Sequence, residues 1–246
     1  MKGFLKLVTT ELKLFSRDPM PVFATLIRPI FILFFVMEFI IPAGNIPKDD
    51  VINEIVPSLM VLVVILVATF NIPMSAATYR EIKFLKRLRA TPVHSLAILN
   101  TLVSANFITC VLGIIPVILA SVWIYQAEFE GCVLIFLFGF LLVFLSLTSF
   151  FLFIASTCEN SRSAMAISIF ILIPIMFFSG VFIPLDMLPN WIVNYISPLI
   201  PATYAVDLLQ GLWVGDCISD FLIEVLILFG FLIIGFVVAI KLFKWE

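Results

Sequence analysis

The sequence predicts an all-α membrane protein with six transmembrane helices, and three observations carry that prediction. The 246 residues are 63% hydrophobic and only 12% charged, whereas soluble domains are about 45–50% apolar and about 25% charged. The mean hydropathy is +1.24. Stretches near or above the roughly 20 apolar residues that cross a bilayer occur at about 20–41, 55–78, 96–125, 131–157, 164–184 and 218–241. We therefore expect a single transmembrane domain over 1–246.

Residues 1–18 predict an amphipathic helix that lies in the membrane interface. Phe4, Val8, Leu12 and Phe15 recur at steps of four and three, which places them on one apolar face. Lysines interrupt the apolar run that a cleavable signal peptide needs, and no small-residue cleavage site follows. We expect the segment to be retained, and the Asp18-Pro19 pair to bend the chain into the bilayer.

The distribution of basic residues predicts the orientation of the spans. Four basic residues lie in the N-terminal arm, five between 79 and 93, one at Arg162 and two near the C-terminus, whereas the alternate loops hold only Lys48. Lys and Arg accumulate in cytoplasmic loops, so both termini are predicted to be cytoplasmic in the cell membrane. Arg28 lies inside the first span, about two turns from its predicted cytoplasmic end, where it either snorkels to the interface or serves as a functional charge.

Residues 79–91 predict a basic amphipathic helix between the second and third spans. Ile82, Leu85 and Leu88 share one face, and basic residues line another at steps of three and four. Thr91-Pro92 is typical of an N-cap followed by the first residue of the next helix. Periodicity alone leaves two interpretations open: the charges bind anionic head groups and fix orientation, or the helix docks onto a cytosolic partner.

The last loop, 185–215, is apolar but is interrupted by Pro189, Pro198 and Pro201. Because proline breaks the helical hydrogen-bond ladder, this segment cannot form one straight span. We expect short helices at about 190–196 and 202–213, together the outer-face helices 190–213. Aromatic residues are enriched at membrane interfaces, so the sequence predicts a belt formed by Trp191, Tyr195, Tyr204 and Trp213.

The cysteines, the small residues of the last span and the single histidine are not expected to form a catalytic or metal site. Cys110, Cys132, Cys158 and Cys217 show no metal-type spacing, and a disulfide between Cys132 and Cys217 stays open. The small residues Gly235 and Ala239 form a small-xxx-small pair in the last span, which indicates internal helix packing more than a dimer contact. The only histidine, His94, is expected to be an interfacial residue. No motif of an intramembrane enzyme is present, and no catalytic, metal or cofactor residue is predicted.

Two segments resemble one family. The stretch REIKFLKRLRATPV, 80–93, resembles the cytoplasmic coupling helix of type-2 ABC exporter permeases. FFSGVFIPLDMLPNW, 177–191, followed by SPLIPATYAVDLLQGLW, 197–213, is similar to the fifth-span exit and external helices of the same family. The segments cover about a quarter of the chain. Family members often carry a small residue after the acidic-basic start, where this chain has Lys83-Phe84.

The resemblance implies a permease subunit that pairs with a second copy, as a homodimer or alternatively a heterodimer, and with two cytosolic ABC ATPase subunits. ATP and Mg would bind to the partner, because no phosphate-loop motif occurs in this chain. No nucleic-acid partner is expected. The residues implied to couple to the ATPase are Arg80, Glu81, Ile82, Lys83, Leu85, Lys86, Arg87, Leu88, Arg89, Thr91 and Pro92. Those implied for the outer-face helices are Pro184, Pro189, Trp191, Pro198, Tyr204 and Trp213.

The expected function is outward transport of an amphipathic or hydrophobic substrate, such as a drug, a lipid or a lipid-linked molecule. The resemblance implies a pathway between two copies, faced by the first, second and fifth spans, whose weak polar candidates are Asn71, Ser75, Ser168 and Ser179. The sequence does not identify the residues that line it. The alternative is an ion-coupled secondary transporter, which needs ionisable groups near the midplane of the bilayer. Arg28, Glu38 and Glu224 lie near span ends, and no internal repeat is present.

Overall fold

The computed structural model describes residues 2–40, 48–81, 95–157 and 160–242. These ranges contain nine helical segments and no strand, which confirms the all-α class. Three short 3₁₀ turns connect them: Leu185–Met187, Ser197–Leu199 and Ile218–Phe221. The segments are α1, Lys2–Arg17; α2, the helical segment 19–40; α3, Lys48–Glu81; α4, Ser95–Tyr125; α5, Val133–Thr157; α6, Ser161–Phe178; α7, Asn190–Tyr195; α8, Pro201–Val214; and α9, Leu222–Leu242.

Helix α2 is irregular. Its α-helical pieces, Pro19–Val22 and Arg28–Phe35, alternate with π-helical turns at Phe23–Ile27 and Val36–Ile40. The Arg28 amide donates to the carbonyl of Phe23, five residues back. Pro29 has no amide hydrogen to continue the normal ladder, so a widened turn is the local solution. The described part of the predicted first span 20–41, residues 20–40, is therefore helical but not a regular α-helix.

Helix α3 forms the centre of the described bundle. It contacts α2, α4, α5, α6 and α8, and most side chains of its apolar stretch Val51–Ser75 are buried. Every side chain from Val61 to Ala68 is enclosed. A helix that is apolar on all sides is stable only when other helices or lipid surround it. Here it is surrounded by other helices.

The described residues confirm several candidate membrane spans and leave the count of six a prediction. Four helical segments are long and apolar enough to cross a bilayer, and the bent pair of α7 and α8 would make a fifth. The expectation that the fifth span reaches residue 184 is wrong, since α6 ends at Phe178. Gly180 has a left-handed backbone with φ of +82°, and the Ser197 hydroxyl donates to the Phe178 carbonyl at 2.7 Å. Both features end a helix.

The predicted outer-face segment is helical and broken at its prolines, whereas its location at the outer face stays a prediction. Helices α7 and α8 meet at 98°; Pro201 begins α8, and Gly215, with φ of +101°, ends it. However, α8 is largely buried against α3, α5 and α9. Trp213 is only 3% exposed, whereas Trp191 is 59% exposed. The predicted four-residue aromatic belt is therefore wrong for Trp213.

The burial of Trp213 has a specific cause. Its ring lies 5.1 Å from Phe129 and 5.7 Å from Phe136, both edge-on, and its carbonyl accepts a hydrogen bond from the Glu130 amide at 3.2 Å. Edge-to-face packing of this kind contributes beyond the buried area. The loop before α5 thus covers the indole, which the local sequence around Trp213 does not reveal.

The cysteines form no disulfide among the described residues. Cys132 and Cys217 are exposed and free, and Cys110 is buried and free; Cys158 lies outside the described ranges. No cluster of three or more histidine, cysteine, aspartate or glutamate side chains in the described part of the chain could hold a metal ion.

Candidate functional site

The predicted coupling segment is only partly described. Arg80 and Glu81 form the last turn of α3, whereas the other coupling residues, Ile82, Lys83, Leu85, Lys86, Arg87, Leu88, Arg89, Thr91 and Pro92, lie outside the described residues. Their role stays a prediction. What the structure adds is that the segment follows directly from α3, the central helix of the bundle.

The predicted outer-face residues lie between α6 and α9. Pro184 precedes the turn Leu185–Met187, and Pro189 precedes α7, whose Ile192 amide donates to the Pro189 carbonyl. Pro198 lies in the turn before α8, where its carbonyl accepts from the Tyr204 hydroxyl at 2.9 Å. Four prolines, at 184, 189, 198 and 201, thus lie at the starts of short elements, where their missing amides leave no helical bond unmade.

Among the described residues, α3 lines three cavities and sets their positions. Residues 51–59 of α3 line one cavity beside α8, and residues 69–78 line two others. Because a helix rises 1.5 Å per residue, these positions lie roughly 30 Å apart. We call the first end of the bundle the short-helix end and the opposite end, where α1 lies, the N-terminal-helix end.

The cavity at the short-helix end has a volume of about 280 Å³. It holds a hydrogen-bond network between α8 and α3: Gln210 donates from Nε2 to the Ser58 hydroxyl at 2.9 Å and to the Glu54 carbonyl at 3.1 Å. The Ser58 hydroxyl donates to the same carbonyl at 2.8 Å. Asp207 is half-buried in the lining. The network joins α8 to α3. The charged residues that line this cavity are Glu54 and Asp207.

A second cavity, of about 390 Å³, lies toward the N-terminal-helix end. We call it the Arg28 cavity. The Arg28 guanidinium lies 5.8 Å from the centroid of the Phe70 ring, within the range of a cation–π contact. The lining comes from α2, α3 and α6, with Asp18 at the start of α2; it comprises Asp18, Pro21, Phe23, Ala24, Arg28, Thr69, Phe70, Met74, Met165 and Ser168.

The third cavity, of about 530 Å³, lies between α1, α2, α3 and α4 and includes Glu11, Arg17 and Asp18. Burial raises the pKa of the Glu11 carboxyl to about 7, because the charged form loses solvation. Glu11 lies on α1, the helix predicted to rest in the interface, so this cavity is lined by a carboxyl with a raised pKa.

The weak pathway candidates separate in the structure. Asn71 and Ser75 line the third cavity, Ser168 lines the Arg28 cavity, and Ser179 is fully buried where α6 ends. Sequence analysis missed Thr69, whose only signal was a hydroxyl inside an apolar run. Sequence analysis left open whether Arg28 snorkels to the interface or has a function. In the structure Arg28 lines a cavity shared by three helices.

Comparison with known proteins gives one family. A family model described as "ABC-2 type transporter" matches residues 2–214. The Escherichia coli (strain K12) protein named "Probable multidrug ABC transporter permease YbhR" is 26% identical over 175 residues, which is 71% of this chain and 47% of that protein. The "Putative transport permease ycf38" of Cyanophora paradoxa is 30% identical over 139 residues, 54% of this chain and 47% of that one. The chain therefore spans about half the length of these curated relatives.

Proposed function

The chain belongs to the ABC-2 type transporter family, and on that premise we propose that it is the membrane-spanning subunit of an ATP-driven exporter. The observation that carries the proposal is the family match over 2–214, which includes the segments 80–93, 177–191 and 197–213 that first suggested the assignment. The apolar helical bundle supports it, since its four long apolar helices have the length that a bilayer requires. In the proposal there are six spans, with both termini in the cytoplasm of the cell.

The energy source in this proposal is a separate ATPase in two copies, which binds ATP and Mg. The printed sequence contains no Gly-x-x-x-x-Gly-Lys-Ser/Thr segment, the loop that cradles nucleotide phosphates. Two copies of this chain would form the membrane part, with a heterodimer as the alternative.

The continuity of α3 supports a coupling role for 79–91. The helix runs unbroken from Lys48 to Glu81 and so enters the predicted coupling segment. A force on that segment acts directly on the helix that contacts α2, α4, α5, α6 and α8. Interfaces packed in this way move between discrete arrangements and do not deform continuously. We infer that closure of the two ATPases moves α3 and thereby the walls of the cavities.

The proposed pathway is the face formed by α2, α3 and α6. Two cavities lie against it, one toward each end of α3. Helices α2 and α6, which flank α3 in this face, carry large exposed apolar side chains, among them Phe31 on α2 and Phe170 on α6. An exposed face of this kind suits lipid, a second copy or an apolar cargo. The proposed amphipathic or hydrophobic substrate is compatible with this apolar face.

The test is to purify the tagged chain in mild detergent from its native host and identify any stoichiometric ATPase by mass spectrometry. The turnover of that ATPase is then compared without the subunit, with the wild-type subunit and with the double variant Arg87→Glu, Leu88→Asp. The matched control is Arg162→Glu, an exposed arginine outside the coupling segment. We expect the double variant to insert normally and lose its effect on turnover, while Arg162→Glu retains it. A wild-type subunit without an ATPase that transports on an ion gradient would refute the proposal.

A further inference from the structure

We propose that the Arg28 cavity binds the acidic head group of an amphipathic anion. As a statement about cargo, this rests on the proposed function. As a statement about binding, it concerns this chain alone. The ligand class is a carboxylate, phosphate or sulfonate carried on an apolar tail.

The first argument is that three polar atoms in this cavity lack partners. Arg28 Nη2, Thr69 Oγ1 and Ser168 Oγ are all buried without a hydrogen bond. Thr69 is 0% and Ser168 1% exposed, and each of the three residues comes from a different helix. Buried polar groups are nearly always hydrogen-bonded. A ligand that accepts hydrogen bonds would satisfy all three.

Other hydroxyls in the bundle form hydrogen bonds, so burial among apolar helices does not by itself leave a hydroxyl without a partner. Thr25, Thr109 and Ser121 donate to carbonyls three or four residues back on their own helices, the usual solution in membrane helices. Ser146 and Thr148 of α5 and Ser179 at the end of α6 also lack partners, but they do not line this cavity. What distinguishes Thr69 and Ser168 is that they share a cavity with an arginine.

The second argument is the position of the charges. Arg28 follows Asp18 by ten positions, so the helical rise separates their Cα atoms by about 15 Å. Asp18 is exposed and precedes the first residue of α2. Arg28 is half-buried and lies within the first predicted span, where an arginine is costly unless a counter-charge approaches it. The Arg28 end of the cavity is therefore the end that requires an anion.

The third argument is the fit of the walls. The volume of about 390 Å³ falls in the range of about 300–1,000 Å³ that is usual for small-molecule sites. Phe23, Met74 and Met165 give an apolar lining that is partly exposed, which leaves room for a tail. Methionine side chains adapt to ligands of different shape. The planar guanidinium forms paired hydrogen bonds with carboxylate or phosphate oxygens, so the head group, more than the tail, would be selected.

The experiment measures binding of 11-(dansylamino)undecanoic acid by fluorescence to the purified chain in phosphatidylcholine nanodiscs. The uncharged control ligand is the corresponding amide. The variants are Arg28→Gln, Arg28→Lys, Thr69→Val and Ser168→Ala, and the matched control is Arg162→Gln. Monodisperse elution in size-exclusion chromatography shows that each variant is folded.

We expect the acid to bind the wild-type chain at least about tenfold more tightly than the amide, since hydrogen bonds to charged groups are the strong ones. Arg28→Gln should abolish this preference, Arg28→Lys should retain part of it, and the hydroxyl variants should each reduce it severalfold. Arg162→Gln should leave it unchanged. Equal affinity of the wild-type chain for acid and amide overturns the inference even if every Arg28 variant fails to fold.

A competition experiment separates the two sources of an acidic group. Inorganic phosphate at millimolar concentration should not displace the probe, which supports an amphiphile site. Displacement by phosphate would overturn the amphiphile assignment in favour of a free-anion site. Because binding is measured without an ATPase, a failure here leaves the coupling experiment intact. A missing ATPase partner would refute the proposed function without affecting this result.

Discussion

Replacing Gly235 by alanine tests the closest helix contact in the last part of the bundle. A Cβ at this position would lie 2.7 Å from Ser149 Oγ and 2.8 and 2.9 Å from the Ser149 backbone carbon and oxygen. Carbon atoms normally approach to about 3.5–4.0 Å. Helices α9 and α5 would therefore have to separate by close to 1 Å, because the obstructing atoms are backbone.

The expected cost follows from three effects. Overpacking costs about 1–3 kcal/mol. The Ser149 hydroxyl shares its hydrogen between the Ser146 carbonyl at 2.7 Å and the Phe231 carbonyl of α9 at 3.2 Å. The separation would remove the second contact, and interhelical hydrogen bonds in membranes average about 0.6 kcal/mol. Alanine recovers about 0.8–1 kcal/mol of helix propensity. The net destabilisation is roughly 0.6–2.8 kcal/mol.

Gly230→Ala on the same helix is the matched control, since a Cβ there meets nothing within 4 Å. It should be neutral or stabilise by up to about 1 kcal/mol. Thermal unfolding in detergent should give Gly235→Ala a Tm roughly 1–11 °C below that of the wild type. Equal Tm values for the two variants would show that α5 and α9 do not pack as described. The interpretation of Gly235 and Ala239 as an internal packing pair would then fail as well.

Two further predictions use the same assay. Burial raises the pKa of Glu11 from 4.5 to about 7, so the folded chain binds this proton more tightly than the unfolded chain does. Stability therefore falls as pH rises through that interval. Glu11→Gln should flatten the dependence of Tm on pH there, and an unchanged slope would contradict the burial of Glu11. Trp213→Ala should destabilise by about 3–5 kcal/mol, whereas the exposed Trp191→Ala should change stability by no more than about 0.5 kcal/mol; equal effects would restore the aromatic belt.

Several of the apolar segments expected from the sequence coincide with helices of the structure. Helix α4 was expected at 96–125 and runs over Ser95–Tyr125, and α5 was expected at 131–157 and runs over Val133–Thr157. Helices α7 and α8 lie within a residue of their expected bounds. Apolar length and proline position act within a few residues of the chain, so a single sequence contains both signals.

The irregular features were not predictable in the same way. The π-helical turns of α2 depend on how Pro29 is accommodated in a packed helix, and the end of α6 at Phe178 depends on a hydroxyl nineteen residues away, that of Ser197. An apolar run shows where a helix can continue, and not where a distant side chain terminates it. The predicted coupling helix 79–91 stays a prediction beyond Glu81.

By itself the sequence determined the all-α membrane class, the positions of most helices and the family, because hydropathy, proline spacing and short motifs are local properties. Only the tertiary structure decided which sides of these helices are buried, since most are apolar on every side and their periodicity does not distinguish a lipid-facing from a protein-facing surface. It enclosed Trp213 between Phe129 and Phe136. It also brought Arg28, Thr69 and Ser168 into one cavity, because helices distant in sequence become neighbours only when the bundle packs.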